Sequence, residues 1–512
     1  MNARLERRNE NASARIREGE LFAAADIGSN SFHLIVARYE HGEPRVIDRL
    51  RENVRLAAGL KSDGSLDTLH RDKALACLAR FGQRLRGLPP QRVRAVATNA
   101  VRQLKAPEAF IAPAEAALGH PIEVVSGREE ARLIYLGVAH GIPDAPGRRL
   151  VVDIGGGSTE FIIGEGLEPL KKESLQVGCI ASTLRFFGDG RLTPRRWQQA
   201  QTEIAVEFQQ FAADYRAFGW NEAIGSSGTV RAIDAVLRES GWSDAGITRA
   251  ALERLREAVL ACANVNAIAL PGLSEDRAGI FAGGVAILEA AFAALGIERM
   301  RVAETSMREG LLHDMIGRAE RRDPRRASID ALAQRYAVDH VHAARVEAGA
   351  LALFDQVAAA WELGPTERDW LGWAARIHEI GLAIAHSQYH KHGAYIVGHS
   401  DLAGFARHEQ QVLAVLLRCQ RRKPEAAVVR ALPERLRQSA TRTAALLRLA
   451  VLLQRSREPV APAPAALQAD GANLQLSLPR AWLDSHPLTR TDLEKERGYL
   501  KALDIKLQVD SG

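Results

Sequence analysis

Apolar positions along this chain change their period in a repeating order. Near the N-terminus "FHLIVARY" and "PRVIDRL" carry the short apolar runs of strands, and "TLHRDKALACLARFGQRLRGL" then spaces apolar residues three and four apart, as a helix does. "RVRAVATNAVRQ" reads as a strand running into a turn and a helix. "HPIEVVSGREEARLIYLGVAHG" reads as a strand and a helix that Ser126 is placed to cap. After the break "APGRR", the segment from Leu150 to about Gly317 repeats the plan with a strand pair, long helical stretches such as "RRWQQAQTEIAVEFQQFAADYRAF", and the strand–turn–helix "EAIGSSGTVRAIDAVL". A charged linker, "GRAERRDPRRAS", leads into a mostly helical region reaching about Arg457. "EPVAPAPAAL" then separates off a last stretch with short strands, "LQLSLPRAWL" and "DIKLQV". The expected organisation is a basic tail over 1–20, lobes over 21–147 and 148–317, a helical domain over 318–458 and a small α+β unit over 459–512.

The two lobes open alike. "FAAADIGSNSFHLIVARYE" and "LVVDIGGGSTEFIIGEG" are each a strand, a turn opened by Asp-Ile-Gly, and a second strand, and Asp26 and Asp153 are offset by 127 positions. One pair of such motifs implies a duplicated α/β domain with a cleft between its halves, not a short-period solenoid. Turns of this composition are either plain tight hairpins or phosphate cradles. In the second case missing Cβ atoms let a phosphate approach the exposed amides. Gly28, Ser29, Asn30 and Ser31 would form one cradle, and Gly155, Gly156, Gly157, Ser158 and Thr159 the other. "GSSGT" is a third such turn, with Gly228 and Thr229 before a helix. Asp153 and Glu160 flank the second cradle and are placed to serve Mg²⁺, which takes oxygen ligands. Arg102, at a strand-to-helix turn, is a candidate phosphate clamp. In "SGREEARL", Glu129 and Glu130 occupy a first helical turn, where acidic residues are favourable in any case. A general base is the functional alternative. Adjacent helical residues point about 100° apart, so at most one of the two faces a cleft squarely.

Composition narrows the setting. Four widely spaced cysteines without a C-x-x-C pair argue against a disulfide framework and fit a reducing compartment. The first twenty residues lack the apolar core of a signal peptide, and "AGIFAGGVAILEAAFAALGI", interrupted by Glu289, reads as a buried helix rather than a membrane span. A cytoplasmic protein, reaching no further than the inner membrane surface, is expected. The net charge of +6 lies wholly in the C-terminal part, where 28 Lys and Arg face 22 Asp and Glu from Arg318 onward. That surplus is either a solvated arginine-rich face or a surface for a polyanion. Eight of fifteen histidines fall between His340 and His408, a density that suggests metal, yet none are spaced as a helical His-x-x-x-His pair around a glutamate.

"DIGSNSFHLIVAR", "SGREEARLIYLGVAHG", "DIGGGSTEF", "GSSGT", "LPGLSEDRAGIFAGGVAIL" and "SMREGLL" occur in that order. Together they resemble the exopolyphosphatase/guanosine pentaphosphatase family, from about Leu21 to the C-terminus. The resemblance implies duplicated actin-like ATPase (ribonuclease H-like) lobes with an interlobe cleft, followed by a helical HD-like domain. It implies Mg²⁺-dependent removal of a terminal phosphate by water, with Glu130 as base, Asp153 and Glu160 at the metal and Arg102 on phosphate. It also implies a homodimer, and no DNA partner is expected. Where the HD dyad would stand the chain has His378-Glu379, which implies a degenerate scaffold. "SQYHKHGAYIVGHSDLAGF" resembles the exopolyphosphatase branch, so inorganic polyphosphate is the expected substrate and pppGpp the alternative. A non-catalytic phosphate or alarmone sensor is the alternative of another class.

Overall fold

The computed structural model describes residues 16–142, 146–244, 246–319, 323–455, 457 and 465–511. Residues 1–15 of the expected tail, and 320–322 and 458–464 of the two expected linkers, lie outside the described residues. The chain forms two compact units, Met1–Asp323 and Pro324–Gly512.

The first unit contains two sheets of related topology. Strands β1 (Leu21–Ile27), β2 (Phe32–Glu40), β3 (Glu43–Glu52), β4 (Val93–Ala97) and β5 (Ile122–Val124) are ordered β3-β2-β1-β4-β5. Strands β6 (Arg148–Ile154), β7 (Thr159–Glu165), β8 (Glu168–Leu175), β9 (Glu222–Ser226), β10 (Ile247–Thr248) and β11 (Arg299–Val302) are ordered β10-β11-β9-β6-β7-β8. In each sheet three antiparallel strands are followed by a strand added parallel to the first. The duplication reaches the irregularities. A bulge falls between Val36 and Ala37 where β2 meets β3, and another between Ile163 and Gly164 where β7 meets β8. Both lie at the 127-residue offset of the aspartates, and bulges of this kind re-aim the strand beyond them.

Alternation decides the layers. Ala23, Ala25 and Ile27 face the helix Thr68–Leu85 through Ala74, Cys77, Leu78 and Phe81. Phe22 and Ala24 face the other way, into a core that also takes Val151, Ile162 and Ile224 from the second sheet. Helices Gly127–Gly141 and Met307–Ala319 fill that shared core, so both lobes are packed on one pair of helices. The pair crosses closely. A Cβ on Gly137 would lie 1.9 Å from Ser306 O, and one on Gly310 1.9 Å from Leu133 O. Among the described residues one helix, Glu275–Leu295, is long and apolar enough to cross a membrane. Phe281, Val285, Ile287, Leu288 and Phe292 bury it in the core of the second lobe, as expected.

In the second unit, helices and the sheet of β12 (Ala466–Asp470), β13 (Asn473–Leu478) and β14 (Lys506–Ser511) share one apolar core. Trp361 Nε1 donates to Gly471 O at 3.0 Å, joining the helical part to the β12–β13 turn. The described parts of the stretch Gly317–Ser328, read as linker, are largely helical, since helices cover Met307–Ala319 and Pro324–Arg335. Pro324 at the first helical position has its backbone angle already set for a helix, so proline here opens a helix instead of marking a loop.

Candidate active site

The two hairpin turns face each other. At their mouths Asp26 is paired with His33 and Asp153 with Glu160. In the second turn Gly155 N donates to Ser158 O at 2.9 Å. The carbonyls of Gly155 and Gly156 accept from Cys179 and Ile180 at the start of the helix Cys179–Phe187. Among the described residues the amides of Gly156, Gly157 and Ser158 have no acceptor, so the turn offers three donors to an anion. Proximity favours glycine. A Cβ on Gly156 would sit 3.2 Å from Ser29 Cβ, and one on Gly157 2.5 Å from Asn99 Oδ1, both belonging to the first lobe. Gly28, Ser29, Asn30, Ser31, Gly155, Gly156, Gly157, Ser158, Gly228 and Thr229 all line one cavity of about 360 Å³. Thr159 does not. Its side chain points to the other side of the strand, where its hydroxyl donates to Val177 O at 2.5 Å.

The floor of the cavity is acidic. Glu129 and Glu130, equal candidates by spacing, are separated by their partners. Glu129, 2% exposed, accepts from Arg132 Nε and Nη2, each at 2.8 Å, inside a buried network that Arg132 and Arg94 extend to Asp314. Glu130 points into the cavity. Arg102 Nη1 donates to Glu130 Oε2 at 2.8 Å and to Val125 O at 2.9 Å. Arg102 is therefore not on the cavity wall as expected of a phosphate clamp. It stands behind Glu130 and fixes its orientation. Glu160 is likewise buried beyond the cavity surface, accepting from Ser174 Oγ at 2.8 Å. Asp153 accepts from Ser306 Oγ at 2.9 Å and from Ser226 Oγ.

Burial raises the proton affinity of all four carboxyls. Burial pushes Asp26 up to about 7, with Arg308 opposing and Glu130, Asp153 and Glu309 adding to the rise. Burial also raises Glu130 against the pull of Arg102, and Asp153 against its two serines. Glu160 is raised well above the usual carboxylate range by burial and then by Glu130 and Asp153. Asp26 Oδ1 is buried without a hydrogen-bond partner. The acidic floor suits a hydrated hard divalent cation such as Mg²⁺, which keeps several waters; among the described residues no three of these carboxyls converge as direct ligands, so some would reach the ion through its waters.

The wall above is basic. Arg49, Arg51, Arg231, Arg277 and Arg308 line the cavity. Burial and then the neighbouring Arg308 lower Arg231, and burial and then Arg51 lower Arg277, so these cations lack full compensation. Arg308 Nη1 donates to His33 Nδ1 at 2.7 Å, and burial with the surrounding guanidinium groups lowers His33 to about 2. Gly228 leaves room for Arg277, whose Nη2 would lie 1.9 Å from a Cβ there. Ser227, with φ 88, holds the third turn in a conformation unusual for a side-chain-bearing residue. Sequence pattern does not single out these arginines, Asp26 as a site carboxyl, or Ser306. Period 2 along β3 puts Arg49 and Arg51 on one face, and Arg277 and Arg308 lie inside stretches already noted as motifs. Those were the available signals.

Facing glycine turns over a carboxylate floor, on duplicated actin-like lobes, make a cleft suited to a phosphate-bearing substrate. A family profile described as "Ppx/GppA phosphatase family" matches residues 35–319, and one described as "Ppx/GppA phosphatase, domain III" matches 325–497. The chain is 37% identical over 491 residues to the guanosine-5'-triphosphate,3'-diphosphate pyrophosphatase of Aeromonas hydrophila, covering 96% of each. It is similar in fold to the crystal structure of an exopolyphosphatase from Cytophaga hutchinsonii, with TM-score 0.53, 24% identity, and coverage of 58% of this chain and 98% of that one. An exopolyphosphatase-like protein gives TM-score 0.52 at 23% identity, covering 58% and 99%. The chain belongs to the Ppx/GppA phosphatase family.

Proposed function

We propose that this protein hydrolyses the terminal 5'-phosphate of guanosine pentaphosphate, giving guanosine tetraphosphate and inorganic phosphate. The observation that carries the reading is full-length similarity at 37% identity to a pyrophosphatase of that nucleotide. One stretch, "SQYHKHGAYIVGHSDLAGF", resembles the exopolyphosphatase branch and points to polyphosphate. A relative matched over 96% of both chains outweighs that stretch, and polyphosphate becomes the second reading.

The chemistry follows from the site. The amides of Gly156, Gly157 and Ser158, with the turn at Gly28–Ser31, hold the terminal phosphoryl group, and Arg308, Arg277 and Arg231 offset the charge of the rest. Glu130, aimed by Arg102, orients a water and accepts its proton as the water oxygen bonds to the terminal phosphorus. The bond from that phosphorus to the bridging oxygen breaks, and the charge passes to the leaving diphosphate. Asp153 would hold Mg²⁺ at the cavity, with Asp26 and the buried Glu160 acting on the ion's waters, and the ion would supply charge stabilisation of the transferring group. Comparing kcat/KM for pppGpp and for long-chain polyphosphate tests the substrate. A clear preference for pppGpp is expected, and a preference for polyphosphate of tenfold or more would replace the first reading with the second.

A further inference from the structure

The second unit carries a cluster of metal-binding groups that the reaction above does not use, at the His378-Glu379 dyad whose departure from the His-Asp pattern implied a degenerate scaffold. His342 lies on the helix His340–Val357, and His378 and Glu379 lie just past the helix Pro365–Arg376. One ligand atom from each of the three lies within 4.8 Å of the others. Both imidazoles are buried, at 3% and 1% exposure, and both line a cavity of about 490 Å³. His378 Nδ1 meets Ala375 O at 2.7 Å. A carbonyl only accepts, so Nδ1 carries the proton and Nε2 holds a lone pair. That Nε2 is buried with no hydrogen-bond partner, and so is His342 Nδ1. Gln420 donates its amide to His378 O, and its own Oε1 is also buried, unpartnered and on the same cavity. Buried polar atoms are rarely left unpaired, and three at one cavity call for a common partner.

We propose that His342, His378 Nε2 and Glu379 bind one divalent transition-metal ion, of the Zn²⁺, Mn²⁺ or Co²⁺ class. The Nδ1–H bond of His378 to a backbone carbonyl is the outer-shell contact that fixes the tautomer of a ligating histidine. Arg457 pairs with Glu379 Oε1 and leaves the second carboxylate oxygen for the ion. Two imidazoles and one carboxylate select a borderline cation over Mg²⁺, so this site and the all-oxygen carboxylate floor of the first unit take different ions. Three protein ligands leave open positions toward the cavity, and Gln420 Oε1 is available to accept from a water bound there. The arginine-rich cavity rim, including Arg421, Arg422 and Arg455, suits an anionic ligand on those positions.

The full-length chain, stripped with chelator and titrated with Co²⁺, tests the proposal. One equivalent should bind with a visible d–d absorption band and raise the melting temperature. The His378→Gln and Glu379→Gln variants should each weaken that binding about tenfold or more. Glu160→Gln, in the other unit, should keep the band. Should His378→Gln fail to fold by circular dichroism, Glu379→Gln, only partly buried, decides on the same readout. No Co²⁺ band in the wild-type chain, or equal affinity in wild type and the folded variants, overturns the proposal.

Discussion

Gly137→Ala tests whether the close helix crossing sets the position of Glu130. The new Cβ would lie 1.9 Å from Ser306 O and 2.7 Å from Gly310 N, both backbone atoms that cannot swing away. Contacts of this kind need at least 3.0 Å, so the helices Gly127–Gly141 and Met307–Ala319 must part by about 1 Å. One helix carries Glu130, and the other begins beside Ser306, which holds Asp153. Overpacking costs about 1–3 kcal/mol, and the better helix propensity of alanine returns about 1 kcal/mol of it. Stability therefore falls by at most about 2 kcal/mol. A displacement of about 1 Å at a catalytic group costs about 100-fold in rate. Steady-state kinetics beside thermal melts should show a large loss of kcat in a protein that still folds. Gly279→Ala is the control. Its Cβ meets nothing within 4 Å, so activity should be unchanged and stability equal or better. If Gly137→Ala keeps kcat within twofold of wild type, the crossing does not position Glu130 and the reasoning is refuted.

Further outcomes follow from the same contacts. Arg102 favours the ionised form of Glu130 against burial, so Arg102→Ala should raise the Glu130 pKa and move the acid limb of the kcat–pH profile upward; an unmoved limb would count against Glu130 as the base. Burial works to raise Asp314, but Arg318, Arg132 and Arg94 outweigh it and hold its carboxyl well below the ordinary range. Its stabilising contribution is therefore present above the unfolded-state pKa of about 3.9 and lost as pH falls through the folded value, and Asp314→Asn at neutral pH should cost about 3–5 kcal/mol in urea denaturation. Arg308→Ala should raise KM for pppGpp and leave the melting temperature nearly unchanged, whereas an unaltered KM would remove Arg308 from substrate binding.

Local pattern made part of this site readable. The repeated hairpins, their aspartates and the turns after β4 and β9 are short-range features, and their composition follows from how closely two backbones and an anion must approach. Spacing alone does not choose between Glu129 and Glu130, which only the family resemblance separates, because the choice depends on Arg132, Arg94 and Asp314, one of them 185 positions from Glu129. Arg102 and Thr159 were read as phosphate contacts from residue type and place in a turn. Their side chains instead serve Glu130 and Val177 O, which only the packing of neighbouring strands decides. The arginines of the wall come from β3 and three separate helices, so no single window held them. Among the described residues, only His342 and His378 of the eight clustered histidines meet beside a carboxylate, brought together by tertiary packing.

The most direct measurement is single-turnover hydrolysis of pppGpp by wild-type protein and Glu130→Gln, with nucleotide binding measured in parallel. Loss of the base should lower the rate by at least about 100-fold with pppGpp affinity held within a few-fold. A Glu130→Gln variant that releases phosphate at the wild-type rate would contradict the account.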